Sequence, residues 1–216
     1  MNTIVERLEK IKFNIGTLKQ PQKVNIVAIS KTFSYSHIKP LVDHGHTHFG
    51  ENKVQETLNK WEEIKKENKN LRIHMVGKLQ NNKVKDAIKI FDYIHSLDNQ
   101  KLADNLAKNQ INLNKSIKYF IQVNLGNELQ KSGIPIHELD PFYNYCCVEK
   151  KLNIIGLMVI PPNDKNTKNY FKSLKDLNNS LALKDISMGM SADYIEAIKY
   201  GATYVRIGTS IFGERT

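Results

Sequence analysis

Eight short runs of β-branched and apolar residues recur along the chain, each separated from the next by a longer stretch with the 3.6-residue spacing of a helix. The runs cover residues 25–30, 46–50, 72–77, 93–96, 118–125, 154–160, 186–190 and 204–208. Helical spacing covers 36–44, 52–68, 81–90, 99–110, 136–150, 164–182 and 191–200, and a further helix over 2–18 precedes the first run. Crossovers of that length join parallel strands, and eight strand–helix units predict a closed α/β barrel, (β/α)8, rather than an open sheet. The 216 residues leave about 27 per unit, the short end for such barrels. Only eight residues follow the last strand, so the final unit lacks a full helix and the N-terminal helix is expected to fill the gap. No Gly/Ser/Pro-rich linker and no repeat divides the chain, which predicts one domain over 1–216.

Composition narrows the function classes. At 40% hydrophobic and 25% charged residues the chain can bury a core. No apolar run approaches the roughly 18 residues that span a bilayer, and the N-terminus lacks the pattern of a secretory leader, so a cytoplasmic protein with no membrane association is expected. Cys146 and Cys147 are adjacent, which rules out a disulfide framework or a CxxC site and leaves packing beside Phe142 and Tyr145. The formal charge of +10 comes from 28 Lys and only 4 Arg. Specific nucleic-acid readers lean on Arg clusters and aromatic platforms, whereas these lysines are scattered over helix faces, so solvated faces are expected. His44, His46 and His48 alternate around a glycine turn without a third convergent ligand, and no metal is expected. Trp61 is expected to anchor its helix to the barrel.

In barrels of this kind the chemistry lies at the C-terminal strand ends. Those positions are Lys31-Thr32, Glu51-Asn52, Gly77, Asp98, Asn124, Met158 to Pro161, Met190-Ser191 and Gly208-Thr209. Lys31 ends a strand of Val, Ile and Ala. Either it snorkels to solvent, or it is held partly desolvated, where a lowered pKa frees the amine to attack a carbonyl. The last strand runs into Gly208-Thr209, where backbone N–H groups and a hydroxyl can meet an anion. Ser187-Met-Gly-Met-Ser191 ends the strand before it and is expected to open a helix over 191–200, whose free N–H groups also favour phosphate. Loops after the last two strands are the recurring phosphate site of such barrels. A strand-one lysine together with a phosphate site suggests a cofactor carrying both an aldehyde and a phosphate. Alternation along 204–208 sends Arg206 into the barrel, where it either salt-bridges a strand carboxylate such as Glu51 or donates to an unprotonated pyridine nitrogen.

With these residues in view, the chain resembles the pyridoxal-phosphate homeostasis proteins, the proline synthetase co-transcribed group of single-domain, alanine-racemase-like barrels of PLP fold type III. The matching stretches are Ala28-Ile-Ser-Lys-Thr32, His48-Phe-Gly-Glu-Asn52 with Val54-Gln-Glu56, His74-Met-Val-Gly77 with Leu79-Gln80 and Asn82-Lys83, Val123-Asn124 through Lys131-Ser-Gly-Ile134, Gly156-Leu-Met158, Ser187-Met-Gly-Met-Ser191, and Val205-Arg-Ile-Gly-Thr209 to Phe212-Gly213 with Arg215. They run from the first strand to the C-terminus.

The resemblance implies pyridoxal 5′-phosphate (PLP) as cofactor, bound as an aldimine on Lys31. It places the phosphate on Ser191 and the Gly208-Thr209 backbone, Arg206 at the pyridine nitrogen, and Asn52, Met158 and Ser187 in the pocket wall. Lys131 resembles a lysine loop near the mouth. Phe33 departs from the residues common after Lys-Thr, which bears on mouth polarity. Racemisation needs acid/base groups on both faces of Cα. In two-domain alanine racemases the second is a Tyr associated with an appended domain, and no such domain is expected here. A neutral pyridine nitrogen is also a weak electron sink. The expected function is therefore PLP homeostasis without catalysis, by a monomer that releases PLP to apoenzymes. A low-activity amino-acid racemase is the alternative.

Overall fold

Strand β1 (Asn25–Ile29) reads Asn-Ile-Val-Ala-Ile and is buried through its middle, as expected for a parallel strand covered on both faces. In the computed structural model, which describes residues 2–126 and 132–214, β1 pairs in parallel with β2 (His48–Glu51) and β9 (Tyr204–Ile207). The ring continues through β3 (Arg72–Met75), β4 (Tyr93–Leu97), β5 (Lys118–Asn124), β7 (Asn153–Met158) and β8 (Asp185–Met190), and the β4–β5 pairing completes the closure. This is the expected (β/α)8 barrel. The short strand β6 (Ile134–Pro135) was not expected; it hangs on the end of β5 outside the ring. Observed strand ends lie within two residues of those read from the sequence.

Helices α1 (Thr3–Thr17), α2 (Tyr35–Asp43), α3 (Val54–Glu67), α4 (Val84–Ile90), α5 (Gln100–Asn112), α6 (Leu139–Asn144), α7 (Thr167–Ser180), α8 (Tyr194–Lys199) and α9 (Thr209–Phe212) surround the strands. Asn2 caps α1 by accepting from the Ile4 amide, and Asn99 caps α5 by accepting from Leu102. The last unit has only the single turn α9, and α1 packs beside it as expected, with Arg7 Nη1 donating to the Ile211 carbonyl at 3.5 Å.

Two helices differ from expectation. The segment 136–150 is a 3-10 turn (Ile136–Glu138), then α6, then a π-turn over Tyr145–Glu149. The helix expected from Ser191 begins only at Tyr194. Asp193 Oδ1 takes the Met190 amide at 2.6 Å, and that turn occupies the residues a first helical turn would use.

Strand alternation sorts the core into two layers. Outward residues meet the helices. Phe49 lies 4.8 Å from Trp61, both fully buried, each contributing roughly 1.5–3 kcal/mol by leaving water. Trp61 thus anchors α3 as expected. Val27, Tyr93, Phe120, Met158 and Tyr204 cluster inside the ring. Cys146 is buried among apolar side chains, and that burial pushes its thiol up to about 12.

Candidate functional site

Lys31 lies two residues past Ile29, which packs on the inner cluster, so strand alternation carries Lys31 toward the barrel mouth; it is half-buried. The residues on either side of it are pinned from α3 and β2. Ser30 Oγ donates to Glu51 Oε1 at 2.6 Å, and Lys60 Nζ donates to the Ser30 carbonyl at 2.9 Å and to Glu51 Oε1 at 3.0 Å. Trp61 Nε1 donates to the same oxygen at 3.0 Å. Thr32 takes φ +71°, which a β-branched residue adopts only under constraint, and its amide donates to Glu56 Oε1 at 2.8 Å.

Glu51 therefore points outward under α3. It is not the partner of Arg206, which removes the salt bridge left open by the sequence. Arg206 is 5% exposed and faces inward on the same side of β9 as Tyr204. Its Nη1 donates to Ser187 Oγ at 2.7 Å and its Nη2 to the Val159 carbonyl at 2.8 Å. Among the described residues none of its hydrogen bonds goes to a carboxylate. Burial holds the guanidinium down to about 10, a shift that Asp193 opposes.

The turn entering α9 abuts the end of β1: a Cβ built on Gly208 would stand 3.5 Å from Ile29 Cβ. The amides of Gly208 and Ser210 converge on Ser191 Oγ at 3.2 and 3.3 Å. Ser191 is thus not a helix N-cap; its hydroxyl sits where amides gather on one oxygen. Thr209 is exposed at the start of α9.

Met158, fully buried, forms part of the floor beneath this group. Asn52 stands at the end of β2 with its backbone against Gly77, where an added Cβ would meet the Asn52 carbonyl at 2.8 Å. It lines a cleft of about 390 Å³ with Val54, Gln80 and Lys83. Among the described residues no hydrogen bond brings its side chain into the Arg206–Ser187–Ser191 group. Lys131 and Arg215 lie outside the described residues. Phe33 stacks on His37 at 4.8 Å and packs on Phe212 at 5.0 Å, forming an apolar flank beside the mouth.

Sequence reasoning missed a line of imidazoles inside the ring. His95 Nδ1 lies 2.8 Å from Ser187 Oγ, His95 Nε2 lies 2.9 Å from His74 Nδ1, and His74 Nε2 lies 2.9 Å from His48 Nδ1. Each His occupies an inward position of its strand, and that parity was the available signal. Burial lowers all three pKa values. His48 falls to about 4, and His95 is lowered further by the Arg206 charge. The lysine-lined cleft of Lys65, Lys66, Lys69, Arg72, Lys89 and Lys115 lies by the opposite, N-terminal strand ends, where Arg72 opens β3. Among the described residues no group of three or more His, Cys, Asp or Glu is arranged to hold a metal, and no helix is long and apolar enough to cross a membrane.

Residues 7–216 match the family model for the alanine racemase N-terminal domain, and the barrel belongs to that class. An alanine racemase of Clostridium difficile shares the fold, with a TM-score of 0.75 at 15% identity over 100% of this chain and 57% of that one. The PipY protein of Synechococcus elongatus, solved with PLP bound, is nearer, with a TM-score of 0.86 at 33% identity over 97% of this chain and all of that one. The pyridoxal phosphate homeostasis protein of Aquifex aeolicus is 37% identical over 100% of this chain and 96% of its own length. The chain belongs to the pyridoxal phosphate homeostasis protein family.

Proposed function

We propose that this chain binds pyridoxal 5′-phosphate at the barrel mouth and serves its homeostasis, holding the cofactor and releasing it to apoenzymes rather than using it for catalysis. The observation that carries the reading is Arg206, a buried cation whose bonds to Ser187 and Val159 leave further guanidinium donors and a charge uncancelled by any carboxylate it bonds. Such a group suits a ligand with a lone-pair nitrogen. The converging amides of Gly208 and Ser210 suit a phosphate oxygen in the same way. The residues present therefore fit the cofactor.

In this reading Ser191, Gly208 and Thr209 hold the phosphate. Met158 and Ser187 support the ring, and Asn52 borders the pocket. Lys31 supplies the amine, its turn held by the Glu51, Glu56 and Lys60 contacts. The cofactor supplies an aldehyde carbon, which condenses with an amine and expels one water. Arg206 cannot accept a proton from the ring nitrogen or give one up, so it keeps that nitrogen unprotonated and the ring a weak electron sink. That favours storage over racemisation. The protein so described acts as a cytoplasmic monomer with one cofactor-binding domain over 1–216.

The test is the spectrum of purified protein given PLP, then borohydride reduction and peptide mapping. A band near ~420 nm, from general pyridoxal chemistry, with the reduced label on Lys31 and both lost in Lys31→Ala, is the expected result. A label spread over surface lysines overturns the proposal. Exchange of the Cα proton of alanine or serine in deuterium oxide, abolished by Lys31→Ala, would establish the racemase instead.

A further inference from the structure

Burying a guanidinium without a counter-ion is costly unless fixed dipoles replace its water, and the line of side chains behind Arg206 supplies them. Arg206 has only donors, so Ser187 Oγ accepts from it. The Ser187 proton then goes to its other close partner, His95 Nδ1, which must carry a lone pair. The His95 proton therefore sits on Nε2 and is donated to His74 Nδ1. By the same logic His74 Nε2–H donates to His48 Nδ1. Every link runs in one direction, with its acceptor end toward the cation.

We propose that Ser187, His95, His74 and His48 form a one-way hydrogen-bond relay that solvates Arg206 in place of a carboxylate, making His95 and His74 positioning residues for the ring-nitrogen site. The positioning role rests on the reading of Arg206 as the ring-nitrogen donor; the relay itself does not. A carboxylate would cancel the charge and occupy the donors that a ligand needs. Neutral dipoles steady the guanidinium and leave both available.

The surroundings keep the relay neutral, because an imidazolium has two donors and no acceptor and would break it at any link. Phe120 stacks on His95 at 4.4 Å, and Tyr93 stacks on His74 at 4.2 Å. Tyr204 packs against all three imidazoles, and Tyr93 also flanks His48. The charged groups acting on the line are Arg206 beside His95, Lys65 toward His74, and Lys23, Arg72, Lys118 and Asp92 around His48, with Asp193 acting on Arg206. Cations dominate that set and oppose a further positive charge.

Two measurements test the proposal. Two-bond proton–nitrogen correlation spectra of 15N-histidine protein without ligand should show His48, His74 and His95 neutral with the proton on Nε2 from pH 8 down to about 6. A proton on Nδ1 of His74 or His95, or an imidazolium there, overturns the relay. In PLP titrations His95→Phe should weaken binding about tenfold, the scale of one charge-assisted hydrogen bond. His95→Asn, which keeps an acceptor facing Ser187, should recover most of that loss. Near-wild-type binding by His95→Phe, or no recovery by His95→Asn, overturns the positioning role. Should His95→Phe fail to fold, His74→Phe against His74→Asn repeats the comparison one link further on. If the wild-type protein binds no PLP while the tautomers stand as derived, the functional reading falls and the relay remains; if it binds PLP with the tautomers reversed, the relay falls and the functional reading remains.

Discussion

Ser187 Oγ lies 2.7 Å from Arg206 Nη1 although Arg206 is registered opposite Met190: Ser187 is registered opposite Tyr204, which shares the inward face of Arg206, and beyond it three residues of β8 span two of β9. The extra residue makes a bulge, and bulges re-aim side chains near sites. Gly189 sits in it at φ +90°, where an added Cβ would stand 2.6 Å from Ala197 Cβ and 3.0 Å from Tyr194 Cα. The bulge thus joins two parts of the candidate site, the Arg206–Ser187 pair and the turn that carries Ser191.

Gly189→Ala is therefore expected to destabilise the fold by about 1–3 kcal/mol through backbone strain and overpacking. Gly208→Ala, at a negative φ and with only an ordinary contact to Ile29, should fold with near-normal stability. Urea unfolding of the two variants checks the contrast, and equal costs would contradict it.

Ser187→Ala removes an acceptor from a buried cation and a donor from His95 with little change of volume. The expected loss is about 1.5–3 kcal/mol, that of a hydrogen bond to a charged group. An unchanged urea midpoint would mean that water or another group solvates Arg206.

How much of this was legible beforehand follows from what a strand pattern encodes. Apolar runs such as 25–30 and 204–208 fixed the barrel, since each must be covered on both faces, and parity alone turned Arg206 inward. Parity cannot choose partners across the ring. Glu51 was the nearest carboxylate by sequence pattern, yet it shares the outward face of Phe49, opposite to Gly50, and so meets Trp61 and Lys60. The imidazole line stayed hidden because His48, His74 and His95 come from three strands and meet only when the barrel closes. The late start of α8 depends on the Asp193 turn, which competes locally with a helical reading of the same residues.

The Glu51–Lys60 pair predicts strong coupling. Their side chains are 0% and 8% exposed, so Lys60→Met leaves a carboxylate buried without its cation and is expected to cost about 3–5 kcal/mol. Lys60→Met combined with Glu51→Gln should cost clearly less than the two single changes added together, a deviation that a double-mutant cycle measures. Additive costs would show that the two side chains act independently. Because Lys60 also holds the Ser30 carbonyl, the single variant is expected to slow borohydride labelling of Lys31 in PLP-treated protein.

Acid stability follows from the buried imidazoles. His46 donates to the His48 carbonyl at 2.9 Å and, by burial, has its pKa lowered to about 4, as has His48. An unfolded His takes its proton near pH 6.5, so between pH 6.5 and 4 the unfolded chain binds more protons and stability rises with pH. The stabilisation is present above pH 6.5 and is lost as pH falls through the folded values. His46 alone accounts for roughly 3 kcal/mol by pH 4. His74 and His95, which burial also holds well below the ordinary imidazole value, add to the same loss. Thermal melts should shift steadily downward from pH 7 to pH 4.5. His46→Gln should flatten the slope, because the amide is able to keep a donor near the His48 carbonyl without titrating. A melting temperature constant across that range would show that the folded and unfolded chains take up protons alike there, contrary to the burial that keeps these imidazoles neutral in the folded protein.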